Sequence, residues 1–189
     1  MVLEPSTASK PSTASKPSTA SKPDTVKEKE TDYFLNDIWT VYFHNPISNN
    51  WERDGYVKIS DVSTVVDFWK VYNEIHAHIH SGMFFIMREH IFPIWDDPHN
   101  KDGSFLSFKV LKDNIEEFSE NILINLLGEN ILVTTHADKW DYINGISFSP
   151  KKNFCIVKIC FKNKEIKDKA VFNIPQNYQG DIIFKDNNM

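Results

Sequence analysis

Two strand-like runs, Ile143–Ser149 and Phe154–Phe161, are separated only by Pro150-Lys151-Lys152-Asn153. A connection that short cannot carry a crossover, so the two runs must pair antiparallel. Other runs rich in β-branched and aromatic residues predict strands at Ile38–Phe43, Tyr56–Ile59, Met83–Met87 and Phe105–Leu111, with a last one at Asp181–Phe184. Helical spacing is confined to two stretches. In the first, Ser63 is expected to cap a helix running to His80, with Val65, Phe68, Trp69, Tyr72, Ile75 and Ile79 on one face and Gly82 as its stop. The second opens on the capping-box-like Asp113-Asn114-Ile115-Glu116, repeats Ile115, Phe118, Ile122 and Leu126, and ends at Gly128. A short helical turn is expected near Lys164–Ala170. Strands outnumber helices, which predicts an α+β fold with one antiparallel sheet and helices on one of its faces.

The chain has 189 residues, enough for one domain with a real core plus a tail. Residues 5–22 are three copies of Pro-Ser-Thr-Ala-Ser-Lys. Such a repeat has no large apolar side chain to offset the entropy of ordering, so residues 1–31 are expected to be a disordered arm and 32–189 the folded domain. The arm's hydroxyls also suit a docking or phosphorylation segment. Net charge is −5; Lys10, Lys16 and Lys22 against Glu4 and Asp24 make the first 24 residues +1, leaving −6 for the body. An acidic body is poorly suited to gripping a long nucleic-acid backbone, though a short end can be held by a few clustered lysines. Cys155 and Cys160 are five apart on one expected strand and face opposite ways, so they cannot pair. No apolar run reaches membrane-spanning length and no secretory signal is visible, which predicts a reducing cytosolic or nuclear setting.

Ile91-Phe92-Pro93-Ile94-Trp95-Asp96-Asp97, read with Trp51, carries the chemistry. A Trp followed by a carboxylate offers a flat π-face beside an acceptor that can take two parallel N–H donors. Two indoles facing each other would form a slot for a flat cationic ring, attracted by about 0.5–2 kcal/mol per face. A 7-methylated guanine is such a ring, and its N1–H and N2–H match one carboxylate in a charge-assisted pair. The competing reading is a buried Trp beside a solvated turn, with Trp51 packed on neighbouring loops. His76, His78 and His80 invite a metal reading, but on a helix only the outer two share a face. Asp96, Asp97, His99 and Asp102 match no calcium loop, and no nucleophile–base pair stands out. Trp140 receives no role.

In order and spacing, several pieces resemble the eukaryotic initiation factor 4E family, the messenger-RNA cap-binding proteins. They are Trp39-Thr40-Val41-Tyr42-Phe43, Trp51, Thr64 to Asn73, Ile91 to Asp97 with Asn100-Lys101, and Leu126-Leu127-Gly128-Glu129. The resemblance runs from about Tyr33 to Phe161, more faintly to Phe184, and leaves out the arm and the stretch Asn130–Tyr142. It implies a curved sheet with helices on its convex face and a cap slot in its concave face. Trp51 and Trp95 would sandwich the 7-methylguanine, Asp96 would hold its N1 and N2 edge, and the Trp95 N–H would serve O6. The family usually has Glu at position 96; Asp is one methylene shorter. Lys151 falls at a basic position for the phosphates, with Lys152 beside it. Ile156 replaces another basic residue, and Lys158, two residues on along the same strand face, is the expected substitute. Cys160 and Leu106 each replace a family Trp.

The resemblance also implies a convex-face site for a helical motif of initiation factor 4G or of 4E-binding repressors. Its expected residues are Val65, Trp69 and Ile124, with Asn121 replacing an acid and Phe34 replacing a typical Pro. The expected function is that of a monomeric, cofactor-free, non-enzymatic cytoplasmic protein that binds capped mRNA and recruits a 4G-type scaffold. The rivals are a cap-binding repressor that does not recruit the scaffold, a scaffold binder whose slot takes no cap, and, from another class, an enzyme hydrolysing caps or nucleotides.

Overall fold

The computed structural model describes residues 32–187. The repeat arm expected at 1–31 lies outside the described residues. Strands β1 (Phe34–His44), β2 (Tyr56–Thr64), β3 (Met83–Arg88), β4 (Ser104–Leu111), β5 (Ile143–Pro150), β6 (Phe154–Phe161) and β7 (Ile182–Asp186) form one seven-stranded sheet in the order β2-β1-β3-β5-β6-β4-β7. Every pairing is antiparallel. The sheet is open and curved, and the fold class is α+β, as the strand count and the short connection at 150–153 require. Three irregularities accompany the curvature: the β1–β2 register shifts between Phe34↔Thr64 and Trp39↔Val62, Ile59 is an extra residue between the Val41↔Ser60 and Tyr42↔Lys58 pairs, and Asn144 is extra between Ile143↔Phe161 and Gly145↔Cys160. Bulges of this kind bend a strand and increase its twist.

Helices α1 (Val65–Ile75) and α2 (Ile115–Leu127) cover one face. Alternation sorts the strands cleanly. Cys155, Val157, Ile159 and Phe161 of β6 point into the helix-covered core, together with Leu106, Phe108, Ile146, Phe148, Phe84 and Ile86. Ile156, Lys158 and Cys160 point to the other face. The two cysteines therefore lie on opposite sides of the sheet, and burial pushes the Cys160 thiol up to about 11.

Three expectations about helix ends need correction. The cap of α1 is Thr64, not Ser63: its side chain accepts from the Asp67 N–H while the Asp67 carboxylate accepts from the Thr64 N–H. Helix α1 stops at Ile75, and His76–His78 tighten into a 3₁₀ turn. The His76 Nδ1–H donates to the carbonyls of Tyr72 and Asn73. Helix α2 has no side-chain cap at Asn114, because Lys112–Asn114 already form a 3₁₀ turn into it. Its far end is a Schellman closure, with Glu129 N–H on the Leu126 carbonyl and Asn130 N–H on the Asn125 carbonyl. The left-handed residue is Glu129 (φ 57°), while Gly128 stays at φ −83°.

Trp140, given no role by sequence, closes one end of the core. Its stretch, Thr134–Tyr142, is a 3₁₀ run. Arg88 lies over both the Trp39 and Trp140 rings, donates through Nε to the Ile143 carbonyl and through Nη2 to the Trp140 carbonyl, and pairs with Asp37. Asp37 also accepts from Trp140 Nε1–H at 3.0 Å. One buried cation thus ties β1, β3 and this segment together with its charge paired, the condition for burying it at tolerable cost. Among the described residues, no helix is long and apolar enough to cross a membrane.

Candidate functional site

The uncovered face of the sheet carries a cleft of about 590 Å³. Trp51 lines it from the β1–β2 loop, Trp95 from the segment after β3, and Lys158 from β6, with Lys151 on the β5–β6 turn. Its floor is mixed: Tyr56, Met83, Phe85 and Ile156 supply apolar surface, and Ser147 and Ser149 of β5 place hydroxyls between them. Four of the residues expected at the slot therefore meet in one place. Asp96 and Lys152 are exposed but do not line the cleft. Among the described residues the Asp96 carboxylate has no hydrogen-bond partner, so it is free to take one. Trp51 is 49% and Trp95 69% exposed, so neither ring is sealed in the interior.

The two rings are held differently. Trp51 stacks on the buried His44 imidazole, centroids 4.2 Å apart and planes 7° off parallel, leaving its opposite face for a ligand. His44 donates Nε2–H to the Asn50 carbonyl at 2.8 Å, and its buried Nδ1 has no hydrogen-bond partner among the described residues. Tyr56 leans on the same imidazole, and burial pushes its phenol up to about 12, so it is a neutral wall. Gly55 closes this loop: a Cβ there would meet the Asn50 carbonyl oxygen at 2.1 Å.

Trp95 stands on a loop organised by buried Asp97 and Asn100. Asp97 accepts from the N–H groups of Phe92 and His99, and Asn100 donates to the carbonyls of Phe92 and Ile94. Asn144, the extra residue of the β5 bulge, reaches across to the His99 carbonyl and to Asn100 Oδ1. The bulge thus re-aims a side chain toward the base of the loop. His99 Nδ1 lies 3.0 Å from Asp97, so the acidic cluster Asp96, Asp97, His99 and Asp102 divides into a structural member and exposed ones.

Lys158 lies over the Phe105 ring at 4.2 Å and has no carboxylate partner among the described residues. Burial pushes its pKa below the usual lysine value, and Lys151 and Lys185 add repulsion. An ammonium held this way gains from any anion that enters the cleft.

On the helix-covered side, a groove of about 220 Å³ lies between α1, α2 and the start of β1. Val65, Trp69 and Ile124 line it, 36–44% exposed, with Leu35, Phe68, Leu127 and Gly128. Trp69 rests edge-on against Tyr72 and beside Phe68, which turns its free face outward. Phe34 and Asn121 are not part of it. Phe34 is exposed at the start of β1, and Asn121 lines a separate polar cleft with Glu117, Asn125 and residues 173–177.

Comparison with known proteins gives a consistent result. A barley eukaryotic translation initiation factor 4E-1 is 30% identical over 159 residues, covering 80% of this chain and 70% of the barley protein. A Drosophila melanogaster initiation factor 4E1 is 32% identical over 102 residues, covering 50% of this chain and 39% of the fly protein. Among solved structures, the fold is similar to Caenorhabditis elegans eIF4E-3 in complex with the 4E-binding protein Mextli and a cap analogue, with TM-score 0.62 at 22% identity, over 70% of this chain and 76% of that one. It is similar also to a schistosome eIF4E complexed with m7GpppA and 4E-BP, with TM-score 0.63 at 20% identity, over 72% and 75%. The family match covers residues 34–187, and so includes the segment 130–142 that the motif resemblance left out. Running from the first residue of β1 to one residue beyond β7, it takes in the whole sheet and both helices: the chain belongs to the eukaryotic initiation factor 4E family.

Proposed function

We propose that this protein binds the 7-methylguanosine cap of messenger RNA and offers its helix-covered groove to a helical motif of a 4G-type scaffold. One observation carries the reading: two exposed indoles from distant loops line a single cleft that also holds two lysines. The cationic base stacks between Trp51 and Trp95. Asp96 takes its N1–H and N2–H, and the shorter side chain requires a closer approach than Glu would. The phosphates run toward Lys151 and Lys158, with Lys152 at the rim. As a member of this family the chain is a binding factor, not an enzyme.

The test is Trp-fluorescence titration with 7-methyl-GTP, with GTP as control. Strong quenching by the methylated nucleotide alone, lost in Trp95→Ala, is the expected outcome; equal quenching by both nucleotides would refute the stacking. Lys158→Ala should weaken 7-methyl-GTP more than 7-methylguanosine, since only the former carries phosphates. A second reading is a repressor that holds caps without recruiting the scaffold. Its support is that Asn121, at the position of an acid expected to hold the partner, lies on a different cleft. Pull-down with a 4G-type helical peptide separates the two.

A further inference from the structure

Arg53 follows Trp51 by two residues, and Asp97 follows Trp95 by two. These two side chains meet: Arg53 Nη2 lies 3.6 Å from Asp97 Oδ2. The same guanidinium covers the Phe92 ring, 4.5 Å from its centroid. Phe92 belongs to the Trp95 loop and is wedged edge-on against Tyr42 and Tyr56 on the sheet. Asp97 is 4% exposed and already fixed by two backbone N–H groups, so it is a rigid anchor. Arg53 itself is exposed and stands in the turn Arg53–Gly55 that leads from the Trp51 loop into β2.

We infer that Arg53 is a positioning residue that latches the Trp51 loop to the Trp95 loop and so sets the opening between the two rings before any ligand arrives. The inference rests on the cap reading for its purpose, but the latch is a property of the free protein. A guanidinium suits the task because its plane can lie on an aromatic face while its edge meets a carboxylate. Asp97 also neutralises a cation that would otherwise stand unpaired beside a slot meant for a cationic base. Preorganising the slot lowers the ordering cost of binding, so the latch acts on affinity without touching the ligand.

The experiment has two arms. In the first, amide hydrogen exchange is measured on the ligand-free full chain and on Arg53→Ala. Residues 48–56 and 91–100 should lose protection together while β3, β5 and β6 keep theirs. Unchanged protection in both segments, or loss in only one, overturns the latch. In the second arm, 7-methyl-GTP affinity is measured for Arg53→Ala, Asp97→Asn and the double variant. Arg53→Ala should weaken binding about fivefold, the scale of one exposed ion pair plus one cation–π contact. It should have less than half that effect, in log affinity, when Asp97 is already Asn; fully multiplicative effects overturn the coupling. Should Asp97→Asn fail to fold, Phe92→Leu serves as the second background. If the unaltered protein does not bind 7-methyl-GTP, the cap reading fails and the exchange arm still decides the latch.

Discussion

His44 supports the candidate slot without lining it. Its ring backs Trp51 at stacking distance, and the hydrogen bond to the Asn50 carbonyl fixes its plane. Removing it leaves the indole with one unsupported face. An aromatic pair of this kind is worth about 0.5–1.5 kcal/mol, so His44→Ala should weaken 7-methyl-GTP by roughly three- to tenfold, while His44→Phe should restore most of the loss. Titration of both variants checks this, and an alanine protein that binds normally would refute the supporting role. Trp51 and Trp95 could be named from residue type and order, and Lys151 and Lys158 through the resemblance to the family; the four line one cleft. His44, Arg53, Asn144 and Trp140 could not: each acts through a partner at least six residues away, and nothing in local spacing marks such a pairing. Asp97 was visible only as a neighbour of Asp96, although it is the buried member of the pair.

Elements were legible where burial alternates and obscure where it does not. Strand β6 alternates without a break, and its limits follow from the residues alone. The first residues of β1 and the last of β2 read as loop because Asn36, Asp37, Ser60 and Asp61 are polar, yet Thr40 pairs with Asp61 across the ladder. The cap of α1 could have been found from Thr64-x-x-Asp67, in which Asp replaces the usual Glu of a capping box. Hydrogen bonds from Thr64, then from Ser63, hold the Asp67 carboxyl below the usual carboxylate range. The unfolded chain therefore binds more protons there, and the associated stability is present above that range and lost as pH falls through it. Asp67→Asn should destabilise by about 0.5–1 kcal/mol at pH 7, kept small by solvent screening. The deficit should shrink below about pH 4, and thermal unfolding across pH measures it. At the other helix, Glu129 adopts a conformation that costs a side chain about 1 kcal/mol. Glu129→Gly should recover about that much in urea unfolding, and a destabilised variant would mean that the Glu side chain contributes more than the strain costs.

At the scale of the whole molecule, one sheet separates two candidate binding surfaces. The cleft uses side chains on one face of the strands, and the groove sits on helices packed against the other. Trp69→Ala should abolish capture by a 4G-type helical peptide, since it removes the largest apolar wall of the groove. It should leave 7-methyl-GTP affinity within about twofold of normal, because distant sites without shared contacts behave additively; parallel loss of both activities would show that the variant is misfolded or the sites coupled. The β5–β6 turn that makes the sheet antiparallel has a consequence for how this protein can change. Because successive β6 residues face opposite ways, a one-residue slip of β6 against β5 would exchange the faces, sending an ammonium and a thiol inward and exposing Val157 and Ile159. An added residue is harmless only if the turn itself, or a bulge like the one at Asn144, takes it up and leaves the register in place. Length variation between these strands is therefore confined to the residues around Lys151 and Lys152, where it moves the rim while sparing the interior.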